Sequence, residues 1–105
     1  MSLKVKGVEL ILKNHELLAK LSGDIDQHSA KGMRDEIDLA IKDFRPLLLI
    51  LDFGDVKFMD SSGIGLIMGR YNLAKSYGAS LKIQNVSPRL EKIIKLAGVG
   101  ILGVL

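Results

Sequence analysis

Residues 58–65 read Phe-Met-Asp-Ser-Ser-Gly-Ile-Gly. Two adjacent hydroxyls, Ser61 and Ser62, follow the carboxylate of Asp60 and precede Gly63 and Gly65. The apolar run "LLLILDF" ends at Phe53, five residues before this stretch. Such serines could be a nucleophile, part of a phosphate cradle, a helix cap, or the substrate of another enzyme. A nucleophilic serine needs a base beside its hydroxyl and a group that orients the base. The candidate bases are His15 and His28, both in the first third of the chain, and nothing in the sequence points either toward the serines. The G-x-S-x-G elbow is absent too. Hydrolytic chemistry, and with it any catalytic residue, is not supported.

A phosphate cradle fits the spacing better. Gly63, Gly65 and Gly69 form G-x-G-x-x-x-G after a strand and at a helix start, the setting of a dinucleotide site. The acidic residue expected at the end of the next strand is missing from "LKIQNV", and there is no P-loop lysine. The plainer reading is that these glycines let the helix pack closely on the sheet. As a cap, Ser61 would accept a hydrogen bond from a free backbone N–H, and its replacement by Ala would cost about 0.5–2 kcal/mol. An absence of cost would move the cap to Asp60. As a substrate, a serine at an exposed helix start would carry a phosphate of about −1.5 to −2 charges. The free N–H groups and the positive end of the helix dipole would tolerate it there. A partner docked on that surface would be repelled without unfolding of the domain. Physics alone does not choose between Ser61 and Ser62 as the acceptor.

The elements that must hold these residues follow from periodicity. Residues 3–12 read as a strand, Asn14-His15 as a two-residue turn, and "ELLAKLSG" as a second strand ended by Gly23. "DIDQHS" reads as a loop. Ala30, Met33, Ile37 and Ile41 form the apolar stripe of a helix over about 28–43, with Lys31, Arg34, Asp35, Asp38 and Lys42 on a solvated outer face. "LLLILDF", 47–53, lacks alternation and predicts a central strand covered on both faces. "GDVKFMD" reads as a loop anchored by Phe58 and Met59. From Ser61, the spacing of Ile64, Ile67, Met68, Tyr71 and Ala74 predicts a helix closed near Gly78. "ASLKIQNV" is a short strand with Leu81 and Ile83 inward. "SPRLEKIIKLAG" is a helix capped by Ser87, with Pro88 at its first position and Gly98 at its close. "VGILGVL" is a candidate last strand. The order is β-β-α-β-α-β-α-(β), an α/β fold with a mainly parallel sheet.

Composition narrows the classes further. The 105 residues fit one domain, and 48% hydrophobic against 26% charged residues predicts a folded chain. No cysteine is present, which removes disulfides, thiolate metal sites and cysteine nucleophiles, and fits a cytoplasmic setting. The longest apolar run, "PLLLIL", is strand-sized, and the N-terminus "MSLKVKGVEL" lacks the apolar region of a signal peptide. The net charge of +3 is unevenly spread, with −1 over residues 1–53 and +4 over 54–105. The basic residues Lys75, Lys82, Arg89, Lys92 and Lys95 are spaced singly, and only three Phe and two Tyr are present. That is not the clustered, aromatic-bearing surface of a nucleic-acid reader.

With these residues on the page, a resemblance can be stated. "DFGDVKFMDSSGIGLIMGRYNLAKSYGASLKI" resembles the core of a STAS domain, and in detail the bacterial anti-sigma factor antagonists of the sporulation sigma-F branch. The opening "MSLKV", the loop "LSGDIDQHSA", "GRY" and "SPRLEKIIKLAG" extend the likeness over nearly the whole chain, read as a single domain of residues 1–105. The resemblance implies a small mixed sheet flanked by helices, and partner switching as the function. The unphosphorylated antagonist would bind an anti-sigma factor that is also a serine kinase, freeing the sigma factor. Phosphorylation at the first serine of the motif, Ser61, would weaken that complex, and a serine phosphatase would restore it. Asp60, Ser62, Gly63 and, from the neighbouring loop, Asp26 are implied at the partner surface. The chain itself would be no enzyme and hold no cofactor or metal, and its partners would include neither nucleic acid nor membrane. A terminal helix common in the family is not found before Leu105, which would leave apolar surface on the 87–97 helix uncovered. The alternatives are a STAS module of another signalling pathway and a small nucleotide-binding domain.

Overall fold

In a computed structural model, which describes residues 2–5 and 7–105, five strands form one mixed sheet in the order β1-β2-β3-β4-β5. The strands are β1 (Ser2–Val5), β2 (Val8–Lys13), β3 (Glu16–Ile25), β4 (Leu48–Met59) and β5 (Ser80–Gln84). The first two pairings are antiparallel, and β4 runs parallel to both β3 and β5. Helix α1 (Gln27–Phe44) follows β3, α2 (Ser61–Ser76) follows β4, and α3 (Pro88–Leu96) follows β5. Both α1 and α2 therefore start at the same end of the sheet. They pack on each other, with α1 on β2 and β3 and α2 on β4 and β5.

The helical stripe predicted for α1 is fully buried, with Ala30, Met33, Ile37 and Ile41 all in the core. They meet Leu17, Ala19, Leu49, Leu51 and Phe53 from the central strands. Burying each Leu side chain contributes about 1.5–3 kcal/mol. Asn14 and His15 both take left-handed φ, 52° and 65°, as a two-residue hairpin turn requires. Ser87 caps α3 by accepting from the Leu90 N–H, and Pro88 occupies the first turn.

Five local expectations are corrected. The single strand over 3–12 is two strands, β1 and β2, paired with each other from Val5–Val8 outward. Gly7 turns the chain between them at φ 83°. Lys6, inside that expected strand, lies outside the described residues. Gly23 does not end β3; with φ 80° it sits at a register shift, and pairing resumes through Asp24 and Ile25. "GDVKFMD" is not a loop, since β4 continues to Met59 by pairing with that extension of β3. Of its two expected anchors, Met59 is buried and Phe58 is 49% exposed. The tail forms a 3-10 turn, Val99–Leu102, set between Gly98 and Gly103 at positive φ. One strand-like bond remains there, from the Ile83 N–H to the Val104 carbonyl at 2.6 Å. Finally, β4 is not covered on both faces. Leu49 and Leu51 are buried under the helices, while Leu48 and Ile50 are half-buried. Ile11, Leu18, Ile50 and Gln84 line a shallow open surface together.

Candidate functional site

Ile25 and Met59 are register partners at the ends of β3 and β4. The next residues, Asp26 and Asp60, cap α1 and α2. The site is thus built where two parallel strands deliver two helix starts side by side. The Asp60 N–H donates to the Ile25 carbonyl at 3.1 Å, tying the two strand ends together.

Asp60 takes extended backbone angles, and its Oδ1 accepts from the Ser62 N–H at 2.7 Å. The cap is therefore Asp60 and not Ser61. The strand geometry explains this, because Met59 is the last paired residue and leaves Asp60 as the half-in position with its side chain over the first turn. Ser61 becomes the first helical residue, exposed, with no side-chain hydrogen bond among the described residues. Ser62 is half-buried and Gly63 is buried. A Cβ on Gly63 would overlap the Met59 side chain beneath it, so a side chain is excluded there by packing. Gly65 and Gly69 do not share that role, since a Cβ on either would meet nothing within 4 Å.

Asp26 is exposed at the start of α1, in a reciprocal cap. Its Oδ1 accepts from the Ser29 N–H at 2.9 Å, and the Ser29 hydroxyl accepts from the Asp26 N–H at 3.0 Å. The Ser29 N–H holds the Asp26 carboxyl below the ordinary aspartate range. Ser29 also donates to the Asp24 carbonyl at 2.8 Å, fixing the extension of β3 to the helix. His15 lies in the turn before β3, at the far end of a ten-residue strand from Asp60. His28, on the first turn of α1, makes no hydrogen bond to either serine among the described residues. The described residues contain no group of three or more His, Cys, Asp or Glu placed to hold a metal ion.

Hydropathy did not reveal two further buried polar groups. Arg70, on α2, is 6% exposed, and its Nε lies 2.8 Å from Asp38 Oδ1 on α1. Asp38 had been expected on a solvated face; the packing of α2 half-buries it. Burial pushes the Asp38 carboxyl up and the Arg70 guanidinium down, and their mutual attraction restores each only in part. Asp52, near the middle of β4, is 6% exposed. It accepts from the Gly54 N–H at 2.8 Å, from Gln84 Nε2 at 2.9 Å and from Asn85 Nδ2 at 2.8 Å. A charged residue closing an apolar strand was the one available signal for Asp52. Arg70 gave none, because a stripe built from apolar residues passes over it.

Chemically, the arrangement presents an exposed hydroxyl at a helix start, with carboxylates at both caps and no histidine hydrogen-bonded to it among the described residues. The sequence matches the STAS domain family over residues 3–101. It is 30% identical over 94 residues to the anti-sigma F factor antagonist of Paenibacillus polymyxa, covering 88% of this chain and 80% of that protein. It is 29% identical over 92 residues to the anti-sigma-B factor antagonist of Bacillus subtilis, covering 88% and 83%. The fold superposes on the anti-sigma factor antagonist SpoIIAA in its unphosphorylated form with a TM-score of 0.80 at 28% identity, over 90% of this chain and 84% of that one. The phosphorylated form gives 0.73 at 28% identity, over 90% and 86%.

Proposed function

The chain belongs to the STAS domain family, and from that premise we propose that it is an anti-sigma factor antagonist switched by phosphorylation of Ser61. The unphosphorylated chain binds an anti-sigma factor that is a serine kinase, and so releases the sigma factor. Phosphate on Ser61 weakens that complex, and a serine phosphatase reverses the change. The chain is a substrate and not an enzyme; the ATP belongs to the kinase, and the setting is cytoplasmic. No helix among the described residues is long and apolar enough to cross a membrane.

One observation carries this reading. Asp60 performs the capping, so the exposed Ser61 hydroxyl is free for a kinase while the helix start stays intact. A phosphate there joins a surface that already holds Asp60 and Asp26. The added negative charge repels a partner without any change of fold. Ser62 is the poorer acceptor, being half-buried with its N–H engaged by Asp60. The nearly equal identity to a sigma-B antagonist supports a second reading, the same switch in a stress pathway rather than in sporulation.

The test is incubation with candidate anti-sigma factor kinases and ATP, followed by mapping of the phosphate by mass spectrometry. Modification at Ser61 is expected. Modification only outside residues 60–63, or none with any kinase that the chain binds, would sink the assignment.

A further inference from the structure

Beyond Asp52 the sheet narrows to two strands. β5 pairs with β4 only over residues 48–52 of β4. β3 and β4 continue together, pairing Ser22 with Asp55, Gly23 with Val56, Asp24 with Phe58 and Ile25 with Met59. This ribbon leads directly into the two caps, Asp26 and Asp60. Its inner side is apolar and closed, with Ile25, Val56 and Met59 all buried. Phe58 stands on the outer side and is 49% exposed, since adjacent strand residues point to opposite faces.

The other exposed large apolar side chains among the described residues lie elsewhere. Leu3, Leu39 and Phe44 line one groove together. Leu47 precedes β4, at the opposite end of the sheet from Asp60, and Leu96 and Leu105 belong to the end of α3 and the tail. Phe58 is thus the exposed aromatic of the strand ends that carry the site.

Its separation from Ser61 is three residues of chain, at most about 11 Å. A standard interface takes about 800 Å² from each partner, so an enzyme that engages Ser61 also covers Phe58. The backbone that presents the ring is held on both sides. The Asp60 N–H donates to the Ile25 carbonyl at 3.1 Å, and the Ser29 hydroxyl donates to the carbonyl of Asp24, the register partner of Phe58, at 2.8 Å. Only two side-chain torsions are left to order on docking. Rigid exposed aromatics of this kind serve as interface anchors when a partner offers an apolar pocket.

We propose that Phe58 is the apolar anchor of the partner surface, its ring entering an apolar pocket of the anti-sigma factor kinase beside the cleft that receives Ser61. This rests on the reading of the chain as an antagonist. The ring is uncharged, so the two residues divide the work: Phe58 supplies affinity, and the charge on Ser61 changes it. Strand propensity is the rival account, because Phe is favoured in strands whatever it touches. Phe58→Thr separates the two, since Thr is also a strand former.

The experiment measures binding of the wild-type and Phe58→Thr chains to the anti-sigma F and anti-sigma-B factors, the targets named for two relatives. Phe58→Thr should weaken binding roughly tenfold or more, with an unchanged melting midpoint. In phosphorylation of Ser61 it should raise KM and leave kcat nearly unchanged, as loss of a contact remote from the transferred group does. If the wild-type chain binds and Phe58→Thr binds equally well, or weakens only in step with a lowered melting midpoint, the anchor is overturned and the antagonist reading stands. If the wild-type chain binds neither probe, the antagonist reading falls and the anchor falls with it.

Discussion

Arg70 Nε on α2 lies 2.8 Å from Asp38 Oδ1 on α1, and the pair is the ionic link recorded between the two helices that start at the candidate site. Burial disfavours the charge on both partners, so the pair sets the relative position of the helices more than it adds stability. Asp38→Leu or Arg70→Met alone leaves one desolvated charge without its partner. Each should cost about 2–4 kcal/mol, below the full cost for a buried pair because 23% of the Asp38 side chain is exposed. The double variant Asp38→Leu with Arg70→Met should recover most of that loss. Urea denaturation of the three variants measures it; additive losses in the double variant would show that the two residues do not act as a pair.

Gly63 makes a second prediction, in which two effects of opposite sign compete. Ala is favoured over Gly inside a helix by about 0.8–1 kcal/mol. The added methyl, however, overlaps Met59, and overpacking of this kind costs about 1–3 kcal/mol. Gly63→Ala should therefore be net destabilising, while Gly65→Ala, whose Cβ meets nothing, should be neutral or stabilising. Shortening the obstacle in a Met59→Ala, Gly63→Ala double variant should reverse the sign of the Gly63 effect. Thermal melts of the four proteins of this cycle and of Gly65→Ala read it out, and equal responses at Gly63 and Gly65 would contradict the packing account.

These residues also show how far the sequence reaches. The helices and the central strands were legible because each repeats apolar residues at one period, as Ala30, Met33, Ile37 and Ile41 do. The continuation of β4 through Gly54–Met59 was not, because register shifts between Lys20 and Ser22 and between Gly23 and Asp24 break the two-residue alternation. The tail failed similarly, because Gly98 and Gly103 at positive φ curl it into a 3-10 turn. At the site, the placement of Ser61 at a helix start was legible. Its release from capping was not, since Asp and Ser cap equally well and only the end of strand pairing at Met59 decides between them. Arg70 and Asp38 escaped notice because their burial belongs to the contact between helices and not to either helix alone.

Asp52 gives the pH prediction. Burial pushes its carboxyl up, but hydrogen bonds from Gln84, Gly54 and Asn85 together hold it below the ordinary value of 3.8. A depressed carboxylate contributes stability that is present above its unfolded pKa and lost as the pH falls through its folded one. Asn at this position must turn its amide toward at least one of three donors, so Asp52→Asn should cost about 1–3 kcal/mol at neutral pH. That difference should be full above about pH 5 and should shrink on acidification, as the wild-type carboxyl itself becomes protonated. Asp38 has the opposite sign, losing stability as the pH rises through its raised pKa, but it is common to both proteins and cancels in the difference. Stability curves of the two proteins between pH 3 and pH 7 test this, and a pH-independent difference would rule it out.

The division of labour between Asp60 and Ser61 yields the sharpest test of the site. Asp60 supplies the side-chain cap of α2, so Asp60→Ala should cost about 0.5–2 kcal/mol while Ser61→Ala should be close to neutral. Function should divide the other way. If Ser61 is the switch, Ser61→Ala should bind the anti-sigma factor kinase as the unmodified chain does and should not be released by ATP. Ser61→Asp should bind more weakly, though less so than the phosphorylated chain, because a carboxylate carries one charge where phosphate carries about −1.5 to −2. Chemical denaturation and binding isotherms on the same three variants separate the two roles. A stability loss confined to Ser61→Ala would return the cap to the serine, and equal affinities of the alanine and aspartate variants would remove the electrostatic basis of the switch.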